Sequence, residues 1–174
     1  MGASYRLAGF SGAVYLLGKA QGSRHVQEAG LLSIAALAHT EIVVCGLKQA
    51  TQRERPLDGD QDGSFWEGGN SVPSGHATTS FAVATVFACE CQDHPAVPIT
   101  AYALASAISV SRLGARRHWL SDIFVGGSLG YLIARFTFKQ HHDPGLSNSG
   151  GSRRSRLIPA VTLGEGAAGL SWSF

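Results

Sequence analysis

Five apolar stretches, residues 7–18, 29–47, 77–89, 97–110 and 123–138, fill most of the first 138 residues of this chain, with Gly and Pro interrupting them mainly at their ends. They are rich in Ala and Leu and too long for ordinary strands, so each reads as a helix. The connections are short, which makes consecutive helices antiparallel neighbours. The expected fold class is therefore all-α, a bundle of about five to six apolar helices.

Composition bears on what surrounds such a bundle. Hydrophobic residues make up 44% of the chain and charged residues 15%, where about a quarter charged is usual for a soluble domain. That balance favours a membrane as partner over a tightly packed soluble bundle. Only residues 29–47 approach the roughly 20 apolar residues that cross a bilayer, and they include His39 and Glu41. In a membrane, Glu41 and Glu90 must face the bundle interior or an interface.

The organisation expected along the chain is a helical domain over residues 1–139, a flexible linker over 140–156 that is almost devoid of apolar residues, and a tail over 157–174. In the tail a Gly164-Glu165-Gly166 turn separates two short apolar segments, and Leu170, Trp172 and Phe174 alternate with small or polar residues. It reads as a short β-hairpin or an irregular tail. Three cysteines without C-x-x-C spacing give neither a disulfide framework nor a zinc site. The N-terminus carries no cleavable signal pattern, and Arg6 breaks the myristoylation pattern. A net charge of +2 and a pI near 8.6, with no interleaving of arginines and aromatics, speak against nucleic acid as a partner. His141-His142-Asp143 reads as a solvated tail rather than a metal site, and neither a metal nor another cofactor is expected.

The polar residues with chemical potential fall into three clusters. The first is Lys48 with Arg55-Pro56, at the end of the second stretch. It offers a flexible ammonium and a planar guanidinium fork. The second, Pro73-Ser74-Gly75-His76, opens the third stretch. Ser74 suits an N-cap, Gly75 lets backbone approach an anion, and a helix N-terminus presents free N–H groups. The third is Ser111-Arg112 followed by His118 and Asp122, which stand at i and i+4. On a helix that spacing lets the carboxylate hold one ring nitrogen and leaves the other as an outward lone pair. Taken singly, each cluster has an ordinary explanation as a helix end, a helix cap or a solvated pair. Arg53 falls among the basic residues that satisfy a helix C-terminus. In an antiparallel bundle, however, the second stretch ends, the third begins, the fourth ends and the fifth begins at one face, so the three clusters converge.

Together, Lys48-x6-Arg55-Pro56, Pro73-Ser74-Gly75-His76 and Ser111-Arg112-x5-His118-x3-Asp122 resemble the three signature motifs of the type 2 phosphatidic acid phosphatase superfamily. That superfamily also includes bacterial acid phosphatases and vanadium haloperoxidases. The resemblance covers residues 48–122 in the right order and departs at no motif position. It implies an all-helical core and a metal-independent phosphoric monoester hydrolase. By it, His118 attacks phosphorus to give a phosphohistidine, Asp122 orients His118, and His76 protonates the leaving oxygen and then activates water. Lys48, Arg55 and Arg112, with Ser74 and the Gly75 N–H, hold the phosphate oxygens.

The expected activity is hydrolysis of a phosphomonoester or diphosphate, above all of a lipid, by a multi-pass membrane protein. The alternatives are a vanadium-dependent haloperoxidase and a soluble non-specific acid phosphatase of the periplasm. Lys19, Arg24, Lys139, Arg153, Arg154 and Arg156 fall opposite the three clusters, and positive-inside bias then places the site on the extracytoplasmic face. The 57–72 loop, with Phe65 and Trp66, is where selectivity for the leaving group is expected.

Overall fold

The computed structural model describes residues 2–58, 63–141, 160–164 and 167–171. Contacts divide the chain into two units, Met1–His142 and Asp143–Phe174. Among the described residues, the first contains five helices: α1 (Gly2–Gln21), α2 (Arg24–Thr51), α3 (Gly75–Glu90), α4 (Ala96–Gly114) and α5 (Leu120–His141). In the second, β1 (Ala160–Gly164) pairs antiparallel with β2 (Ala167–Ser171), Val161 standing opposite Leu170. The expected turn at Glu165-Gly166, the residues Trp172 and Phe174, and the linker beyond His141 lie outside the described residues.

All five apolar stretches are helices, and each helix runs past its apolar stretch at both ends. Local chemistry sets the boundaries. Gly22 takes φ 68° after α1, and the Ser23 hydroxyl accepts from the Val26 N–H to cap α2. At the far end of α2, Gln52 adopts left-handed geometry and its N–H closes on the Lys48 carbonyl at 3.0 Å. That ends α2 at Thr51, so Arg55 stands beyond the helix.

α3 is the central helix and touches the other four. Its buried face is small: Ala77, Thr78, Thr79, Ser80 and Ala82, whose hydroxyls donate back to carbonyls one turn earlier. α5 answers with Gly126, Gly130 and Ala134, one residue per turn. A Cβ on Gly126 would meet the Ser74 carbonyl at 2.8 Å, and one on Gly130 would overlap the Thr78 carbonyl. This stripe of small residues lets the two backbones approach closely. It also draws the start of α5 onto the start of α3, where the Ser74 N–H donates to the Asp122 carbonyl at 3.0 Å. Leu32, Ala36, Ala82, Val86 and Ala134 form the apolar core, with Phe138 against it.

The end opposite these contacts is marked by His25 and Glu90, whose side chains meet at 2.7 Å with Glu90 buried. Glu41 accepts from the Ser4 hydroxyl. Both carboxylates thus face neighbouring helices, as a membrane would require. Among the described residues, two helices, α2 and α4, are long and apolar enough to cross a bilayer. α4 rests on α3, meets α5 only marginally and turns Ile99, Leu104 and Val110 outward.

Candidate active site

Asp122 is the structural hub of the converging helix ends. It occupies the third position of α5, and its Oδ2 accepts from the Trp119 N–H at 2.8 Å, capping its own helix. The same oxygen accepts from the Ser71 hydroxyl, and Oδ1 accepts from Arg53 Nη1 at 2.7 Å. Asp122 is fully buried. Burial by itself raises its pKa, but the nearby His118 ring, the Ser71 hydroxyl, the Trp119 N–H and the Arg53 guanidinium outweigh it and hold the carboxyl below the usual range.

His118 precedes α5 rather than lying on it. Its Nδ1 is 2.8 Å from the Ser71 carbonyl and 3.8 Å from Asp122 Oδ2. The ring therefore donates Nδ1–H to a backbone carbonyl, and the expected direct bond to Asp122 is replaced by an indirect one. The reason is competition: both Asp122 oxygens are already occupied by shorter contacts to Arg53, Ser71 and Trp119. The carboxylate holds Ser71 by its side chain while Ser71 holds His118 by its carbonyl. The tautomer that results carries its lone pair on Nε2.

The first cluster joins this hub through the 63–73 segment. Lys48 Nζ donates to the Asn70 carbonyl at 2.9 Å, and the Thr51 hydroxyl donates to the Val72 carbonyl at 3.1 Å. Arg55 Nε is buried and has no hydrogen-bond partner. Ser74 occupies the N-cap position of α3, yet its hydroxyl makes no capping bond and its Oγ is likewise buried without a partner. Buried donors without partners are uncommon in native proteins; the Ser11 and Ser33 hydroxyls, midway along α1 and α2, are also without one, but Arg55 and Ser74 stand at the converging helix ends.

His76 lies in the first turn of α3, at the mouth of the bundle. Its pKa is lowered to about 4, by burial first and then by the positive charge of Arg112, with His118 and Lys48 adding to it. The charge of Arg112, at the end of α4, is thus felt at the His76 ring. Arg112 Nε contacts the Ser111 hydroxyl at 3.2 Å. Gly75 is not required by packing, since a Cβ there would meet only Val44 Cγ1, at 3.8 Å. Lys48, Arg55, Ser74, Gly75, His76, Arg112, His118 and Asp122 thus come from four helix ends to one end of the first unit. Among the described residues, no group of three or more His, Cys, Asp or Glu side chains is placed to hold a metal ion.

Three participants carried no sequence signal strong enough to single them out: Arg53, Ser71 and Trp119. Arg53 is the most connected. Besides Asp122, it donates to the Ser121 hydroxyl at 2.8 Å and the Gly63 carbonyl at 2.9 Å. Its guanidinium lies 5.0 Å from the Phe65 ring centre and 5.4 Å from that of Trp119. Trp119 Nε1 in turn donates to the Glu54 carbonyl at 3.0 Å, tying the start of α5 to the loop after α2. The one visible clue was the Trp119-x-x-Asp122 spacing, in which an acid three residues into a helix reaches back to the capping N–H.

Among known families, the PAP2 superfamily profile matches residues 29–145, from within α2 past the end of α5. The chain belongs to the PAP2 superfamily. All three clusters fall inside the matched region. The lipid A 1-phosphatase of Porphyromonas gingivalis is 39% identical over 70 residues, which cover 40% of this chain and 16% of that protein. This chain thus spans less than a fifth of that relative's length. No solved structure matches.

Proposed function

We propose that this chain is a membrane-bound, metal-independent phosphatase that removes phosphate from a lipid phosphomonoester or diphosphate through a phosphohistidine on His118. The observation that carries the reading is the fixed His118 tautomer at the same end of the bundle as two buried donors without partners, Arg55 Nε and Ser74 Oγ. His118 Nε2 forms a bond to phosphorus as the bond to the leaving oxygen breaks, and His76 gives that oxygen its proton. Water, deprotonated by His76, then attacks phosphorus, the N–P bond breaks and phosphate leaves. Lys48, Arg55, Arg112, the Ser74 hydroxyl and the Gly75 N–H stabilise the equatorial oxygens.

Among cations alone His76 is neutral above about pH 4, which does not suit a general acid. A phosphate dianion in their midst opposes that field and raises its pKa, so the substrate itself recruits the proton that its leaving group needs. A lipid is favoured because a relative in sequence is named as a lipid A 1-phosphatase and because α4 and α5 turn Leu104, Val110, Phe124, Leu132 and Phe136 outward. Lys19, Arg24 and Lys139 lie at the end away from the site, so the site faces away from the cytoplasm.

The test is to react the purified protein with a radiolabelled phosphate ester and quench in alkali. An alkali-stable, acid-labile phosphoenzyme is expected, and it is absent from His118→Ala. Labelling of His118→Ala at the wild-type level would end the assignment.

A further inference from the structure

α4 and α5 meet only marginally, and between them, over α3, lies an open groove of about 980 Å³. Phe81 and Gly127 line its inner end, five residues along from His76 and Asp122. From there it runs away from the active site between Tyr102 of α4 and Tyr131 and Leu132 of α5. It ends at Gln92, Arg135 and Lys139. Gly127 and Lys139 stand twelve residues apart, about 18 Å along the helix, close to the roughly 15 Å of hydrocarbon in one leaflet of a bilayer.

The charge distribution selects the occupant. Arg135 Nη1 donates to the Tyr131 hydroxyl at 3.1 Å, and its guanidinium lies 5.7 Å from the Tyr131 ring centre, so it is held against the groove wall. Among the described residues, neither Arg135 nor Lys139 forms an ion pair with a carboxylate. A lipid whose phosphate sat at His118 would bring the ends of its acyl chains towards these cations. A lipid pointing the other way would bring its phosphate to them. We infer that the groove binds an anionic phospholipid of the leaflet opposite the active site, with its phosphate on Arg135 and Lys139 and one acyl chain lying along Tyr102, Leu132 and Phe81. The inference rests on the membrane part of the proposed function and is independent of the phosphatase chemistry.

Cys89 lines the groove and serves as a reporter. The chain has three cysteines, so Cys45→Ser with Cys91→Ser leaves Cys89 as its single thiol. This protein is reconstituted into vesicles of phosphatidylcholine, with or without phosphatidylglycerol, and modified with uncharged N-ethylmaleimide. Phosphatidylglycerol is expected to slow modification at least five-fold, since each cation near a membrane surface is worth about five-fold in anionic lipid binding. Adding Arg135→Gln and Lys139→Gln removes the difference and leaves turnover of a small soluble phosphate ester unchanged. Equal rates in the two kinds of vesicle, or a difference that survives the two substitutions, would overturn the inference. Failure to float with vesicles of either kind would overturn the membrane reading instead, and the groove proposal with it.

Discussion

Replacing Arg53 with Met tests whether the site is held together through Asp122. The substitution keeps much of the side-chain volume and removes the charge. The Asp122 side chain is 0% exposed and that of Arg53 15%, so the variant leaves a buried carboxylate without its ion-pair partner. Breaking a buried pair from one side costs about 3–5 kcal/mol. Asp122 keeps its donors from Ser71 and Trp119, which places the expected loss at the lower end, about 3 kcal/mol. For a unit of this size that lowers the melting temperature by about 6–12 °C. The Asp122 pKa is held down in the folded protein, so its contribution is present above the unfolded carboxylate pKa and lost as pH falls through the folded one. Arg53→Met raises the folded value, and the acid-unfolding midpoint moves to higher pH. The assay is thermal and acid unfolding of the detergent-solubilised protein, combined with a cycle that includes Asp122→Asn. A coupling energy of about 2 kcal/mol is expected between the two positions. Additivity within about 0.5 kcal/mol, or an unchanged melting temperature, would refute the clamp.

Four further outcomes are expected. His118→Ala removes the proposed nucleophile and lowers turnover by several orders of magnitude, whereas Arg24→Ala, at the far end of the bundle, is silent; comparable rates in the two would sink the site. If phosphate raises the His76 pKa, the alkaline limb assigned to loss of its proton lies at higher pH in kcat than in kcat/KM, and superimposed limbs would show that it does not. Because the folded His76 pKa is about 4 against an ordinary 6.5, the unfolded chain binds the extra proton, so stability falls as pH drops from about 6.5 to 4 and His76→Gln flattens that slope. Gly130→Leu forces a side chain into the Thr78 backbone, prising α5 from α3 with a loss above 3 kcal/mol, while Gly9→Leu, where a Cβ meets nothing within 4 Å, is tolerated; similar melting temperatures would contradict the close packing.

The helices were legible because each carries an apolar core longer than a strand, but their ends were not. α2 stops at Thr51, and only the left-handed Gln52 shows where. Pro56 marked the latest place at which the helix could end, four residues further on. The packing of α5 on α3 was hidden for a related reason. Gly126, Gly130 and Ala134 form one stripe only when read at helical spacing, and nothing in the apolar count separates that face from the Phe124, Leu132 and Phe136 face turned outward.

Seven of the eight residues singled out for the site are polar or charged and sit at helix ends, where spacing alone brings them into view; Gly75 belongs to them as backbone. What spacing could not show is the order of the contacts. The i,i+4 relation between His118 and Asp122 predicts a direct bond, and it holds only for two residues on one helix. α5 begins at Leu120, so His118 belongs to the segment that enters the helix and its ring is turned towards Ser71. Asp122 then acts one step further out: it caps α5 through Trp119, anchors the Ser71 that holds His118, and pairs with Arg53, which the Phe65 and Trp119 rings enclose. Residues 63–72, in the loop expected to matter for the leaving group, are therefore also a structural part of the site. A change at Phe65 reaches His118 through Arg53, Asp122 and Ser71 in turn, so an effect there on turnover of every substrate alike would mark it as part of the clamp, and an effect confined to some leaving groups would mark it as part of the pocket.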